Sequence, residues 1–313
     1  MPLYAELVRD FKVDYVAGGS ALNTMRTAAW FAGEASARFG YFGSVGQDAN
    51  ADILLKAATA SGVFMHTSTT SEKPTGTCAV LVTGHERSLV ANIAAAEKFD
   101  INLLGDATAT AALAGAKAIY VTGFFLTHSP DAALRLAKMA AERNIAFVMN
   151  ISAPFLVFVP VFRERVLALL EYADYVFCNH LEAGALGQVM GWGDDLVAVA
   201  RKTAALPKAN GARSRRVIFT HGGEPAILVG GDSTEVRRFA PIALGEKELV
   251  DENGAGDAYV GGFLAALVRD KPLEECFASA AYCAWVVIRR VGCTFPDTKE
   301  PKEHQGFKFF VNN

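Results

Sequence analysis

Short apolar runs of β type alternate with helical patterns along most of this chain, and that alternation limits the fold more than any other feature. Residues 41–46 (YFGSVG), 118–123 (AIYVTG), 146–151 (AFVMNI) and 175–179 (YVFCN) have the length and apolar content of buried strands. A helical pattern covers 49–60, and another follows Ser129-Pro130. Strand and helix in this order predict an α/β fold, a mainly parallel sheet with helices on both faces. The 313 residues suit one large domain with a small addition. Ligands of open sheets sit beyond the strands' C-terminal ends, and Asn150, Asn179, Thr220 and Asp257 are each expected to follow or close a strand.

One region breaks the rhythm. Residues 63–70, 76–83 and 88–92 read as successive strands, with turn residues at Lys73-Pro74 and Gly84-His85, and predict a meander forming a small β-subdomain. The net charge of −3 leaves no basic footprint, so nucleic acid is not an expected partner. Five cysteines (Cys78, Cys178, Cys276, Cys283, Cys293) without a C-x-x-C read as buried free thiols in a reducing compartment. The opening MPLYAELVRDFK lacks the apolar run of a secretory signal, and the apolar stretch near 278–288 is too short for a membrane span, so no membrane partner is expected. The polar tail after Pro296 has little that would dock it.

The chemistry concentrates in VDENGAGDAYVGGFLAAL, Val250 to Leu267. Gly254, Ala255 and Gly256 stand directly before Asp257 and an apolar run long enough for a helix. A helix start presents unpaired amides and partial positive charge, and residues without bulk let a phosphate approach them. A dinucleotide fingerprint would need glycine at position 259, where Tyr259 stands, and no Gly-Lys pair exists for a Walker loop. Taken alone, Gly254 and Gly256 equally suit an ordinary strand-to-helix turn, and Asp257 an acid complementing a helix dipole. Asn179 and Glu182 match a capping box as well as a cation site, and Ser20 after Gly18-Gly19 matches a plain helix cap.

Eight segments in order carry a resemblance: AGGSALN (17–23), PTGTCAVLVTGHERSLVANIAAA (74–96), GFFLTHSP (123–130), NISAPF (150–155), NHLE (179–182), FTHGG (219–223), DENGAGDAYVGGF (251–263) and RRVGCTFP (289–296). With these the chain resembles the ribokinase-type (pfkB) carbohydrate and nucleoside kinases, and within them the adenosine-kinase group. The resemblance implies a ribokinase-like fold, with a large domain over 18–62 and 94–298, a β lid over 1–17 and 63–93, and a tail over 299–313. It implies ATP-dependent phosphorylation of the 5′-hydroxyl of adenosine by a cytoplasmic monomer, extending to the nucleus, with adenosine and ATP as partners and Mg²⁺ as cofactor.

Residue by residue, the resemblance makes Asp257 the base that takes the hydroxyl proton and the amides of Gly254, Ala255 and Gly256 an anion hole. Arg87, Asn150, Asn179, Thr220 and Gly222 would contact ATP. Glu182 and Asn179 would organise Mg²⁺ through water, as suits a hard cation reluctant to dehydrate. Gly19, Ser20 and Asn23 would lie against the ribose. Phe125 would stack on the purine, with Cys78, Leu89 and Ala91 completing an apolar slot and Phe124 belonging to the core.

Two departures from the family pattern bear on activity. Glu252 stands where the signature has threonine, and a carboxylate facing a triphosphate repels it by about one to a few kcal/mol unless it points to solvent. The resembling kinases also begin with a further strand-bearing segment, ahead of the position of Pro2, that carries an acid gripping the ribose. Its lack predicts an exposed sheet edge and weaker nucleoside binding. A related sugar kinase, or a catalytically silent nucleoside-binding protein, are the competing readings; the aromatic pair Phe124-Phe125 favours a flat base over a sugar alone.

Overall fold

A computed structural model of the chain describes residues 2–33, 38–83, 86–231, 233–245 and 248–309. After helices α1 (Pro2–Asp10) and α2 (Ser20–Ala32), strand β1 (Phe39–Gly46), helix α3 (Ala49–Ala60) and strand β2 (Val63–Thr70) form a β-α-β unit. Its strands pair in parallel from Phe39↔Val63 to Gly46↔Thr70. Strands β3 (Thr77–Thr83) and β4 (Glu86–Asn92) form a separate antiparallel hairpin.

The main body then runs through α4 (Ala107–Ala114), β5 (Ala118–Thr122), α5 (Pro130–Glu142), β6 (Ala146–Asn150), the short α6 (Phe155–Phe158), α7 (Pro160–Leu170), β7 (Tyr175–Asn179), α8 (His180–Val189), α9 (Leu196–Ala204) and β8 (Arg216–His221). Two returning strands, β9 (Glu224–Gly230) and β10 (Ser233–Phe239), complete a six-stranded sheet in the order β10-β9-β8-β7-β6-β5. Strands β5 to β8 are parallel, as the alternation predicts, and β9 and β10 are antiparallel. Helices α10 (Ala255–Leu267) and α11 (Leu273–Val287) and a small hairpin, β11 (Lys302–His304) with β12 (Phe307–Phe309), follow.

The expected meander is corrected. Strand β2 pairs with β1, a strand of the expected large domain, and of the three expected meander strands β3 and β4 alone are antiparallel neighbours. Helix α3, capped by the Asp48 carboxylate accepting from Ala51 N, supplies the crossover that a parallel pair requires. The turn at Gly84-His85 lies outside the described residues.

Side-chain alternation along the parallel strands builds a core on each face of the sheet. Phe147, Met149, Val176, Cys178, Val217 and Phe219 pack with apolar residues of α5, α7, α8 and α9. Their neighbours Val148, Tyr175, Phe177 and Ile218 point the other way, against Val260, Phe263, Leu264 and Phe277 of α10 and α11. Helix α10 also lies close against α2: a Cβ at Gly261 would stand 2.7 Å from the Thr24 carbonyl oxygen and from Thr27 Cβ. Only glycine permits that approach, and it brings the first turn of α10 alongside the first turn of α2.

The tail is docked, contrary to expectation. Phe309 is buried, with its ring 5.2 Å from Tyr282 and 5.8 Å from Phe31. The Glu300 carboxylate accepts from both Arg289 and Arg290 at 2.6 Å. Four cysteines are buried as expected, but Cys78 is exposed, because the two-stranded β3–β4 hairpin leaves one face open. Among the described residues no helix is long and apolar enough to cross a membrane.

Candidate active site

Asp257 sits in the first turn of α10, behind a sharp turn made by Gly254 in the left-handed conformation at φ 80. Asp251 shapes the approach: it is buried, its Oδ1 accepts from Asn253 N and its Oδ2 accepts from Gly292 N, both at 2.9 Å. The Ala255 amide donates to the Glu252 carbonyl at 3.2 Å, so of the expected anion-hole donors it is already engaged in the turn. The helix start leaves the following amides, Gly256 and Asp257, without intrahelical acceptors. Glu252 is exposed and is not among the residues that line the cavity described below.

Two side chains from α2 hold the carboxylate of Asp257. Ser20 Oγ donates to Oδ1 at 2.7 Å, and Asn23 Nδ2 donates to Oδ2 at 3.0 Å. Burial raises the Asp257 pKa to about 6, against the lowering effect of the bonds from Asn23 and Ser20. Ser20 is thus more than a helix start. Gly19, at φ 98, precedes it and admits the backbone bend.

Glu182 is the second acid. It completes a capping box with Asn179: Glu182 N donates to Asn179 Oδ1 at 2.9 Å, and Glu182 Oε2 accepts from Asn179 N at 3.0 Å. Asn179 Nδ2 also donates to Glu182 Oε1 at 2.8 Å. The box does not exclude a place in the site, because Glu182 lines the same cavity as Asp257 at 4% exposure. Burial pushes its pKa up to about 7; the amides of Asn179 and Ser152 pull down, and the charge of Asp257 pushes further up.

The cavity holding both acids measures about 2750 Å³ and runs from the β3–β4 hairpin to the ends of the parallel strands. It exceeds a typical ligand pocket, and residues of the edge strands β1 and β5 both line it. Its walls bring together Gly19, Ser20, Asn23, Cys78, Leu89, Ala91, Phe125, Asn150, Asn179, Glu182, Thr220, Gly254, Gly256 and Asp257. Ala255 and Gly222 are not among them. Arg87 has its backbone in β4, opposite Val82, and its side chain lies outside the described residues. On the hairpin, Cys78 opposite Ala91 and Val80 opposite Leu89 share one face, as the period of two requires.

Phe124, expected in the core, is not the core member of the aromatic pair, while Phe125 lines the cavity as expected. Phe124 is 40% exposed, with its ring 6.3 Å from Phe155, whereas Phe125 packs edge-on against Phe99 at 5.2 Å and His128 at 5.3 Å. The pair occupies a 3-10 turn, Gly123–Thr127, and the cavity takes an edge of each. Sequence reasoning also passed over Tyr120, Asn253 and Phe155, all cavity-lining, for which nothing local in the sequence gives a signal.

The family model described as pfkB family carbohydrate kinase matches residues 2–300. The chain belongs to the pfkB family. Its fold is the ribokinase-like fold of that family. "Adenosine kinase 1" of Arabidopsis thaliana is 40% identical over 298 residues, covering 95% of this chain and 85% of the relative. An adenosine kinase of Anopheles gambiae, solved with P1,P4-di(adenosine-5) tetraphosphate, superposes with a TM-score of 0.88 at 41% identity, covering 95% of this chain and 87% of the other. One of Schistosoma mansoni, solved with adenosine and AMP, superposes with a TM-score of 0.85 at 30% identity, covering 95% and 86%. The glycine turn and its acid lie at the start of α10.

Proposed function

We propose that this pfkB protein transfers the γ-phosphoryl group of ATP to the 5′-hydroxyl of adenosine, giving AMP and ADP. The observation that carries this reading is the Asp257 carboxylate held by Ser20 and Asn23 beside the helix-start amides of α10. With a pKa of about 6, Asp257 is mostly ionised at neutral pH yet basic enough to receive the alcohol proton. As the hydroxyl oxygen bonds to the γ-phosphorus, the bond from that phosphorus to the β,γ-bridging oxygen breaks and ADP leaves. The Gly256 and Asp257 amides face the negative charge on the transferred group.

The residues present fit Mg²⁺. Among the described residues no group of three or more His, Cys, Asp and Glu side chains forms a protein cage. Glu182, a buried acid whose pKa is raised partly by the charge of Asp257, suits a cation held mainly by phosphates and water. When bound, the ion neutralises phosphate charge; Glu182 and Asn179 are the residues that would hold its water.

Adenosine is favoured over a sugar by the apolar and aromatic walls, Phe124, Phe125, Phe155 and Leu89, and by the adenosine-kinase names of the similar proteins. The test is ADP release from ATP with adenosine, ribose or fructose as acceptor. Turnover with adenosine at least about tenfold more efficient than with either sugar is expected, since stacking and burial of a base are worth more than about 1.4 kcal/mol. Turnover with ribose alone would assign the protein to the sugar kinases instead.

A further inference from the structure

Helix α2, SALNTMRTAAWFA, carries a single charged residue, Arg26, and it is 7% exposed. Among the described residues no carboxylate lies within ion-pair distance of it. Its guanidinium instead gathers neutral oxygens from three segments: Nη1 donates to the Ala17 carbonyl at 3.0 Å and to the Cys293 carbonyl at 3.2 Å, and Nε donates to Ser61 Oγ at 3.3 Å. The Phe295 ring lies 5.4 Å away and is itself stacked on Trp30. Burying a cation without a counter-ion is costly, so carbonyl dipoles arranged around one point to a requirement for a fixed multi-armed donor at this place.

Both carbonyls belong to segments that frame Asp257. Ala17 opens the Gly18-Gly19-Ser20 bend whose last residue holds Asp257 Oδ1. Cys293 backs the other half: its Cβ would stand 2.9 Å from a Cβ at Gly254, and the preceding Gly292 amide donates to Asp251 Oδ2. We infer that Arg26 is a positioning residue, a clamp tying the loop on the acceptor side of Asp257 to the turn behind the phosphate-side glycines. The clamp holds the alcohol and phosphoryl halves of the site at one separation. This rests on the kinase reading for its consequence, and on geometry alone for the clamp itself.

The test compares Arg26→Met and Arg26→Lys with the native chain, by steady-state kinetics per folded molecule and by amide hydrogen exchange across residues 17–20 and 292–294. In Arg26→Met, exchange rises in both segments together and kcat falls about 10²-fold, because misplacement of reacting groups acts on the chemical step. KM stays within about threefold, and the acid limb of the pH profile does not move, since Arg26 does not touch Asp257. Arg26→Lys recovers part of the loss, because one ammonium reaches only some of the oxygens, and it carries the test if the methionine variant does not fold. Unchanged exchange in either segment overturns the clamp, as does an unchanged kcat in a chain that phosphorylates adenosine. Raised exchange in both segments of a chain that releases no ADP with adenosine upholds the clamp and overturns the assigned reaction.

Discussion

Ser20 Oγ donates to Asp257 Oδ1 at 2.7 Å, joining residues 237 positions apart in the chain and linking the helix that follows the glycine pair to the helix that follows the anion turn. A bond to the ionised carboxylate lowers its pKa, so removing it must raise the pKa. Ser20→Ala is expected to move the acid limb of kcat/KM upward by about one pH unit, with a neutral hydrogen bond to a charged group worth about 1.5 kcal/mol. A pH-rate profile measured with saturating ATP checks this; an acid limb moved downward would contradict it.

Asp257 has a further signature in stability. Its folded pKa of about 6 lies above the ordinary 3.8, so the folded chain binds more protons than the unfolded one between those values. Stability from this group is therefore full at low pH and is lost as pH rises through the window, by up to about 3 kcal/mol. Asp257→Asn removes that loss, and Asn23 can turn its unpartnered Oδ1 toward the new amide. Thermal melts should show the variant more stable than the parent at pH 8 and not at pH 4, while turnover is nearly abolished.

Glu182 completes the capping box of α8 and, in the proposed reaction, also serves the Mg²⁺ site; substitution separates the two. Glutamine can keep the reach back to Asn179 N, so Glu182→Gln should retain the start of α8, whereas Glu182→Ala loses the box and about 1 kcal/mol. Both remove the charge, and the Mg²⁺ concentration for half-maximal rate should rise about ten- to a hundredfold in each. Titrating Mg²⁺ at fixed ATP, alongside melts, checks the separation.

Gly254 combines φ 80 with a site where a Cβ would lie 2.9 Å from Cys293 Cβ. An L-residue there costs about 1–2 kcal/mol from backbone conformation before any clash. Gly254→Ala should lower kcat about 10²-fold by displacing the helix-start amides, a loss of the size seen when one oxyanion donor is removed. Kinetics at pH 8, where Asp257 is ionised, isolate this from the base.

The two phenylalanines of the 3-10 turn should behave oppositely. Phe124 is exposed at the cavity, so Phe124→Ala is expected to raise the nucleoside KM about tenfold with little change in melting. Phe125 packs against Phe99 and His128, so Phe125→Ala should cost about 2–4 kcal/mol in stability. An unchanged KM in Phe124→Ala would show that its ring is not a binding surface.

What could be read from the letters were features set locally. Strand β7, Tyr175–Asn179, and helix α3, Ala49–Ala60, have the bounds their patterns predict, because apolar runs and the Asp48 cap act within a few residues. The glycine turn before Asp257 was likewise visible, since its conformation demands glycine. Features set by distant partners were not: β2 lies beside β1 through a crossover, Glu300 is docked by Arg289 and Arg290, and Phe125 rather than Phe124 packs against the core. Arg26 left one trace, a lone charge in an apolar helix, but its role depends on carbonyls brought from positions 17 and 293 by the fold.

The central claim is that Asp257 accepts the proton of the attacking alcohol. It is tested most directly by kcat/KM for adenosine between pH 4.5 and 8, in the native chain and in Asp257→Asn. An ionisation near pH 6 in the native chain is expected, with activity present above it, together with a loss of about 10²–10⁴-fold in the variant and disappearance of that ionisation there. A flat native profile across that range, or a variant within about tenfold of the parent, would show that the proton goes elsewhere.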